Sequence, residues 1–441
     1  MAQKRSVVPD GLKLFKYQRD GVKFVAARRR AIIADVMGLG KTPQAIVAAN
    51  VWSTTNCVVI CPAVVRSTWE MEWKKWSTLS HSVTVVNGGK QSVAANCNVL
   101  IVSYDLSITP KWKQFIQVFL KRSENSLLIV DEAHNCKNWR AQRTRAVIID
   151  ILPCTKRALF LTGTPMTKSV IDLHPLFCAC EPRKWGKLTE FGARYSHAVE
   201  TAFGIEYRGL RNVDELKKRY ANFMVRRFKE DVQKELPEKM YINVWLSVDA
   251  AIAARSMESA AKVEEAIRLD KQVADENTAT MRRELGLAKV QSTCEWIDNF
   301  LESEPDEPLV IFAYHKAVVA SIYEHLKKKG LKVCKITGET SAEDRKLAVD
   351  GFQSGEFQVF IGNLVAAGVG ITLHRAATAL VTELDWRPDV VAQACDRLHR
   401  IGQKRTVKIY FLLAKDSIDM AVINVIRSKM KVIGEALGDK D

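Results

Sequence analysis

One junction limits what this chain can become. The apolar run AIIADV (31–36) passes directly into MGLGKT (37–42) and then into the helical pattern PQAIVAANVW (43–52). A β-branched strand, a Gly-rich turn and Lys-Thr at a helix start make a phosphate cradle. Gly38 and Gly40, with Leu39 between them, let backbone N–H groups approach phosphate oxygens. Lys41 can reach the terminal phosphates, and the Thr42 hydroxyl can hold Mg²⁺. The strict pattern has glycine where Asp35 stands, so the match is partial and a plain Gly turn remains the alternative.

LLIVDEAHN (127–135) supplies a second half. A strand ending in Asp131-Glu132 sets two carboxylates at the carboxyl edge of a sheet, where such sheets bind ligands. Asp131 would hold Mg²⁺ through its water shell, and Glu132 would orient or deprotonate an attacking water. The bland reading, an acidic cap after a strand, loses ground once Gly-Lys-Thr stands upstream. In QACDRLHRIGQ (393–403), Arg397 and Arg400 are spaced i, i+3, which is one face of a helix. Two arginines there could stabilise transition-state charge on a γ-phosphate. Taken alone, such spacing reads as a solvated basic face.

Around these motifs, short apolar runs alternate with helical stretches in two series. AIIADV, CVVICP (57–62), VLIVSY (99–104), LLIVDE (127–132) and ALFLTG (158–163) form the first. PLVIFAY (308–314), KVCKIT (332–337), FQVFIG (357–362), TALVTEL (378–384) and VKIYFLL (407–413) form the second. Continuous β-branched strands separated by helices predict parallel sheets covered on both faces. The fold class expected is therefore α/β, with two doubly wound parallel-sheet lobes spanning 1–240 and 241–441. Helical insertions are expected over 168–236 and 249–303. Across 441 residues, 66 Lys and Arg oppose 50 Asp and Glu, a net charge of +16. That excess favours a polyanionic partner, with nucleic acid ahead of an anionic membrane. No apolar run approaches the ~20 residues that span a bilayer, and no signal-peptide pattern follows MAQKRSVVPDG. Ten cysteines without Cys-x-x-Cys pairs read as reduced core residues of a cytosolic-type compartment.

Together these strings resemble the SWI/SNF-like DNA translocases of the superfamily-two ATPases, over nearly the whole chain and in order. LFKYQRDGVKF (14–24) resembles the family's adenine-recognition segment, with Gln18 as the implied reader. VICPAVVRSTWEMEWKKW (59–76), VLIVSYD (99–105) and LTGTPMTKS (161–169) resemble the next motifs, the last of which couples ATP to DNA. MVRRFKEDVQKELPEK (224–239) is similar to a signature of these translocases that general helicases lack. VIFAYHK (310–316), GETSAEDRKLAVDGFQ (338–353), AAGVGITL (366–373), LDWRP (384–388) and QACDRLHRIGQ resemble the second lobe, nearest the fork-remodelling, strand-annealing branch.

The resemblance implies two RecA-like lobes around one ATP and Mg²⁺. Gln18, Lys41, Thr42, Asp131 and Glu132 would come from the first lobe, and Gln393, Arg397 and Arg400 from the second, with Gly370 also near the nucleotide. It implies double-stranded or branched DNA as partner and no membrane, in the cytoplasm or a nucleus. DNA contacts are expected at Ser103, Tyr104, Thr162, Gly163, Thr164, His315, Lys316 and Trp386, the last of which could equally be a packing residue. Departures from the family pattern are Val36 for Glu, Lys168 for Asn, Leu364 for a DNA-contacting Thr, Thr372 for Asn and Arg387 for Asn. None removes a phosphate or metal ligand. Two alternatives stand beside the translocase: a strand-separating helicase, and a DNA-binding scaffold with a decayed ATPase core.

Overall fold

The computed structural model describes residues 6–167, 169–201, 204–232, 237–258, 276–368, 370–385, 387–400 and 402–424. Two compact units divide them, the first running through Val232 and the second taking in 237–424.

In the first unit the strands are β1 (Arg30–Ile33), β2 (Asn56–Cys61), β3 (Ser82–Val85), β4 (Cys97–Ser103), β5 (Ser126–Asp131), β6 (Arg157–Leu161) and β9 (Met224–Val225). A separate hairpin contains β7 (His197–Thr201) and β8 (Gly204–Arg208). Among the described residues the main sheet is parallel throughout, in the order β3-β4-β2-β5-β6-β1-β9. All five strands expected from the first series are present. Val58, Val59, Ile60, Leu128, Ile129 and Val130 are fully buried, because helices cover both faces and leave no solvent side for alternation. The edge strands β3 and β9 were not anticipated; β3 is only half-buried and β9 is two residues long.

The stretch 168–236 is not purely helical, since it carries the β7–β8 hairpin. Its helices His174–Cys180, Leu188–Tyr195 and Val213–Tyr220 bury Phe177, Trp185, Phe191, Tyr195 and Tyr220. These rings are continuous with the core under the main sheet.

The second unit is built on β10 (Lys239–Leu246), β11 (Leu309–Ala313), β12 (Val333–Ile336), β13 (Val359–Asn363), β14 (Thr378–Val381) and β15 (Val407–Ala414), in the order β10-β15-β14-β11-β13-β12. These pairings are also parallel. β10 was missed by the sequence reading, and it begins before the 240/241 boundary expected there. Its alternating, largely exposed side chains suit an edge position and lack the continuous apolar signature. Within 249–303, helices occupy Ala250–Glu258, Glu276–Ala288 and Val290–Ser303. The ten cysteines are all free, and Cys57, Cys61, Cys136 and Cys334 lie inside the cores. Burial pushes the Cys136 thiol up to about 12, so it packs as a small apolar group. No described helix is long and apolar enough to cross a membrane.

Candidate active site

Three neighbouring strands, β5, β6 and β1, end at one edge of the first sheet. Their carboxyl ends deliver Asp131-Glu132, Thr162–Thr164 and the loop 34–40, so sheet order alone brings three sequence-distant motifs together.

The loop after β1 turns on two left-handed glycines, Gly38 (φ 87°) and Gly40 (φ 70°), a conformation that costs other residues more. Gly40 caps the helix Lys41–Val51. A Cβ at Gly40 would stand 2.5 Å from Gln18 Nε2, so the conformation favours glycine and any side chain there would displace the Gln18 amide. Leu39 is buried, and its carbonyl accepts from Gln18 Nε2 at 3.1 Å and from the Tyr17 hydroxyl at 3.2 Å. Gln18, only 4% exposed, also accepts from the Phe15 N–H at 3.0 Å. Here its amide ties its own helix, Lys16–Ala26, to the phosphate loop, and the amide's second N–H and second oxygen lone pair remain the groups with which it would meet a base. Lys41 Nζ donates to the carbonyls of Asp35 (2.8 Å) and Val36 (3.4 Å), which holds the ammonium over the loop.

Asp131 is held from two sides. Trp69 Nε1 donates to Oδ2 at 2.8 Å, and the Glu132 N–H donates to Oδ1 at 3.0 Å. Burial pushes the Asp131 carboxyl up to about 6, reinforced by the adjacent Glu132 charge and opposed by Trp69 and the Lys41 ammonium. Glu132 has φ 49°, an uncommon conformation for a non-glycine residue and one that clusters at functional sites. It turns the carboxylate to within 3.3 Å of His134 Nδ1. The same ring nitrogen lies 3.1 Å from Thr162 Oγ1 and 3.5 Å from Thr164 Oγ1. His134 therefore links the acidic pair to the loop after β6. Met37 closes the third side, because a Cβ on Gly163 would meet its Cγ at 2.7 Å.

Metal fit follows from the donor set. Thr42 offers a hydroxyl and Asp131 a carboxylate. No described cluster of three His, Cys, Asp or Glu could cage a metal. One carboxylate with phosphate and water suits Mg²⁺, which keeps much of its hydration and rarely takes an all-protein cage.

Some expected DNA-contacting side chains are spent inside the protein. Ser103 and Tyr104 are buried. The serine hydroxyl accepts from the Leu106 N–H at 3.3 Å, and the Tyr104 hydroxyl donates to the Asp131 carbonyl at 2.8 Å. Tyr104 thus braces the acidic strand end and is not a surface contact; its apolar ring belongs to the core. Thr162 and Gly163 are likewise buried, while Thr164 is half-buried. Trp386 and Lys168 lie outside the described residues.

In the second unit, His315 and Lys316 follow β11. His315 Nδ1 lies 2.6 Å from Glu383 Oε1, and Glu383 Oε2 accepts from the Tyr314 and His315 N–H groups at 2.9 Å each. Lys316 is exposed and paired with Glu339. Arg397 and Arg400 do not share a helix as expected. The helix Pro388–Cys395 ends first, backbone bonds tighten to the i−3 pattern, and both arginines lie in turns. Gln403 fixes those turns by donating to the carbonyls of Ala376 (2.8 Å) and His374 (3.0 Å). The two guanidinium groups still converge, each 3.5 Å from the Ile371 carbonyl. Arg400 also donates to Thr372 Oγ1 at 3.0 Å, so one departure from the family pattern touches it directly. Gln393 is buried, its carbonyl accepting from Arg397 Nε at 3.2 Å, and Gly370 has φ 77°.

Trp69, His134, Arg226 and Arg227 were not singled out by sequence reasoning. His134 was legible in DEAH as a ring two residues beyond the acidic pair. Trp69 was one of three tryptophans in a single helix, Arg66–Trp76, with nothing local to mark it.

A family model for the SNF2-related domain matches residues 17–284, and one for the helicase conserved C-terminal domain matches 289–402. The "SWI/SNF-related matrix-associated actin-dependent regulator of chromatin subfamily A-like protein 1" of Xenopus tropicalis is 35% identical over 97% of this chain and 45% of its own length. The human "DNA annealing helicase and endonuclease ZRANB3" is 30% identical over 98% of this chain and 41% of its own. The chain thus spans less than half the length of these two curated relatives. A solved SWI2/SNF2 ATPase core of Sulfolobus solfataricus, in complex with dsDNA, aligns over 100% of this chain and 96% of that one, at 22% identity and TM-score 0.48. With the first model covering more than half of the sequence and the second continuing to residue 402, the chain belongs to the SNF2-related family of helicase-like ATPases.

Proposed function

We propose that this chain hydrolyses ATP, with Mg²⁺, to translocate along double-stranded or branched DNA and remodel DNA or protein–DNA complexes. One observation carries the reading: Lys41, Asp131-Glu132 and Thr162–Thr164 meet at the shared edge of β1, β5 and β6, with His134 standing between Glu132 and Thr162. Bound Mg·ATP supplies the phosphoryl group that is transferred and the cation that neutralises its oxygens.

The chain's own groups do the rest. Backbone N–H groups of the loop and Lys41 cradle the phosphates. Thr42 and Asp131 hold the cation. Glu132 orients the attacking water and takes its proton, and His134 passes the state of Glu132 to Thr162. In the second unit, Arg397 and Arg400 are guanidinium groups of the kind worth ~10³ or more in rate where they meet transition-state charge. Gln18 holds the loop that meets the nucleotide. Lys316 and His315 contact DNA phosphates. The relatives' printed names, a chromatin regulator subfamily protein and a DNA annealing helicase, support DNA as the track.

Phosphate release measured with no nucleic acid, with duplex DNA, with branched DNA and with RNA tests this. Duplex or branched DNA should raise turnover strongly. Equal stimulation by RNA would overturn the DNA assignment, and no turnover with any of them would favour the decayed-core scaffold.

A further inference from the structure

The signature MVRRFKEDV contains two consecutive arginines that the mechanism above leaves unused, and both end on the nucleotide loop. Its backbone continues the sheet. Ile32, Ala34 and Val36 donate N–H groups to the carbonyls of Phe223 (2.8 Å), Val225 (2.8 Å) and Arg227 (3.1 Å). The segment therefore runs beside β1 and onward along the loop itself.

The side chains then divide the work. Arg226 NH1 donates to the Ala34 carbonyl at 3.0 Å and to the Gly163 carbonyl at 3.2 Å. One guanidinium thus joins the root of the phosphate loop to the loop after β6. Arg227 turns the other way. Its NH1 donates to the Tyr17 carbonyl, and it lies 3.4 Å from Asp35 Oδ2 and 3.5 Å from Gln44 Oε1. Gln44 Nε2 in turn donates to Asp35 Oδ2 at 3.0 Å and to the Gly40 carbonyl at 3.2 Å.

The pocket for this cluster is made by Gly21. A Cβ there would stand 2.7 Å from Arg227 NH2 and would also collide with Gln44. Asp35 is 0% exposed, and its Oδ1 has no hydrogen-bond partner. Removing the cation from a buried carboxylate leaves an uncompensated charge, the costly way to break such a pair. The contacts named here come from one terminal nitrogen, NH1, of each guanidinium, whose N–H directions are fixed by the planar group, whereas a lysine ammonium is a rotatable point charge without that geometry.

We infer that Arg226 and Arg227 are positioning residues for ATP turnover, an inference that rests on the ATPase reading above. Arg227, through Asp35, Gln44 and the Tyr17-Gln18 turn, sets the shape of the loop that binds the phosphates. Arg226 sets the distance between that loop and the Thr162–Thr164 loop. The last residues of the first unit thereby belong to its nucleotide site.

The two roles separate kinetically. In the full chain with saturating duplex DNA, Arg227→Lys should raise the ATP KM about ten-fold with little change in kcat, because it disturbs ground-state binding. Arg226→Lys should lower kcat about ten-fold with KM little changed, because it disturbs a geometry used during hydrolysis. Equilibrium binding of a fluorescent ATP analogue should weaken for Arg227→Lys and hold for Arg226→Lys, and melting temperatures should stay near that of the unsubstituted chain. Unchanged kinetics and binding in both variants would overturn the inference. So would a parallel loss of kcat and affinity with an early melt, the mark of a purely structural role. If the unsubstituted chain turns over no ATP, the ATPase reading fails, and the binding measurement still decides the role of Arg227.

Discussion

At the scale of single residues, the site separates binding from chemistry. Lys41 opens the helix after the phosphate loop, with its Nζ on the Asp35 carbonyl, and Glu132 follows the end of β5. Lys41→Ala should lose ATP binding together with turnover. Glu132→Gln should bind Mg·ATP and fail to hydrolyse it, since only the water-orienting carboxylate is gone. His134→Ala should bind ATP and melt normally but show a much smaller rise in turnover on adding DNA, because its ring joins Glu132 to Thr162. Nucleotide-analogue binding, melting temperature and DNA-stimulated phosphate release on these three variants check the series. A His134→Ala protein with full stimulation would remove the ring from the coupling path. Lys41, Asp131 and Glu132 were legible because each sits in a short local pattern whose chemistry is explicit. Trp69 and Arg227 were not, because their partners lie 62 and 192 residues away. Such pairs exist only once the sheet order is known. Tyr104, expected at DNA, is buried with its hydroxyl on the Asp131 carbonyl, a contact 27 residues away in sequence that no local pattern announces.

At the scale of elements, continuous apolar strands were legible, as was the edge strand β12 in KVCKIT, and the other edges of the two main sheets were not. β2, β5, β6 and β11 carry the hydrophobic run that two-sided burial demands, whereas β3, β9 and β10 lie at edges and do not. The i, i+3 spacing of Arg397 and Arg400 suggested a helix, but turns pinned by Gln403 bring the same two groups together. The carboxyl edge of the second sheet offers a pH test. Burial pushes the Glu383 carboxyl up, yet the His315 ring and the His315 N–H outweigh it and hold the carboxyl below its ordinary value. A depressed acid stabilises the fold above its unfolded-state pKa of ~4.3, and that contribution is lost as pH falls through the lower folded value. The unsubstituted chain should therefore exceed Glu383→Gln in melting temperature at pH above the ordinary carboxylate range, with the gap shrinking as pH falls below that range. A gap that is constant through this fall would mean the His315–Glu383 pair contributes nothing through its charge.

At the scale of the whole molecule, the net charge of +16 and the family membership bear on output. Contacts to phosphates carry no sequence information and track a duplex of any sequence, with an affinity that falls steeply as salt rises. A motor that grips both strands by their backbones does not need to part them. Parting them requires an element that stands between the strands, a separate device from the nucleotide site. The expected output is therefore movement of duplex past the protein, which pushes off whatever is bound in its path. A third strand held in the major groove is such an obstacle. The chain should displace a triplex-forming strand in the presence of ATP and should unwind a forked duplex poorly. Glu132→Gln should do neither, since displacement must be driven by hydrolysis and not by binding. Displacement by Glu132→Gln would mean that occupancy of the duplex alone strips the third strand, and would remove translocation from the account. Efficient unwinding of a long fork by the unsubstituted chain would show that strand separation is built into this protein and would favour the helicase reading. Triplex release and fork unwinding measured side by side, at matched salt and DNA concentration, distinguish a tracking motor from a separating one on the same ATP cycle.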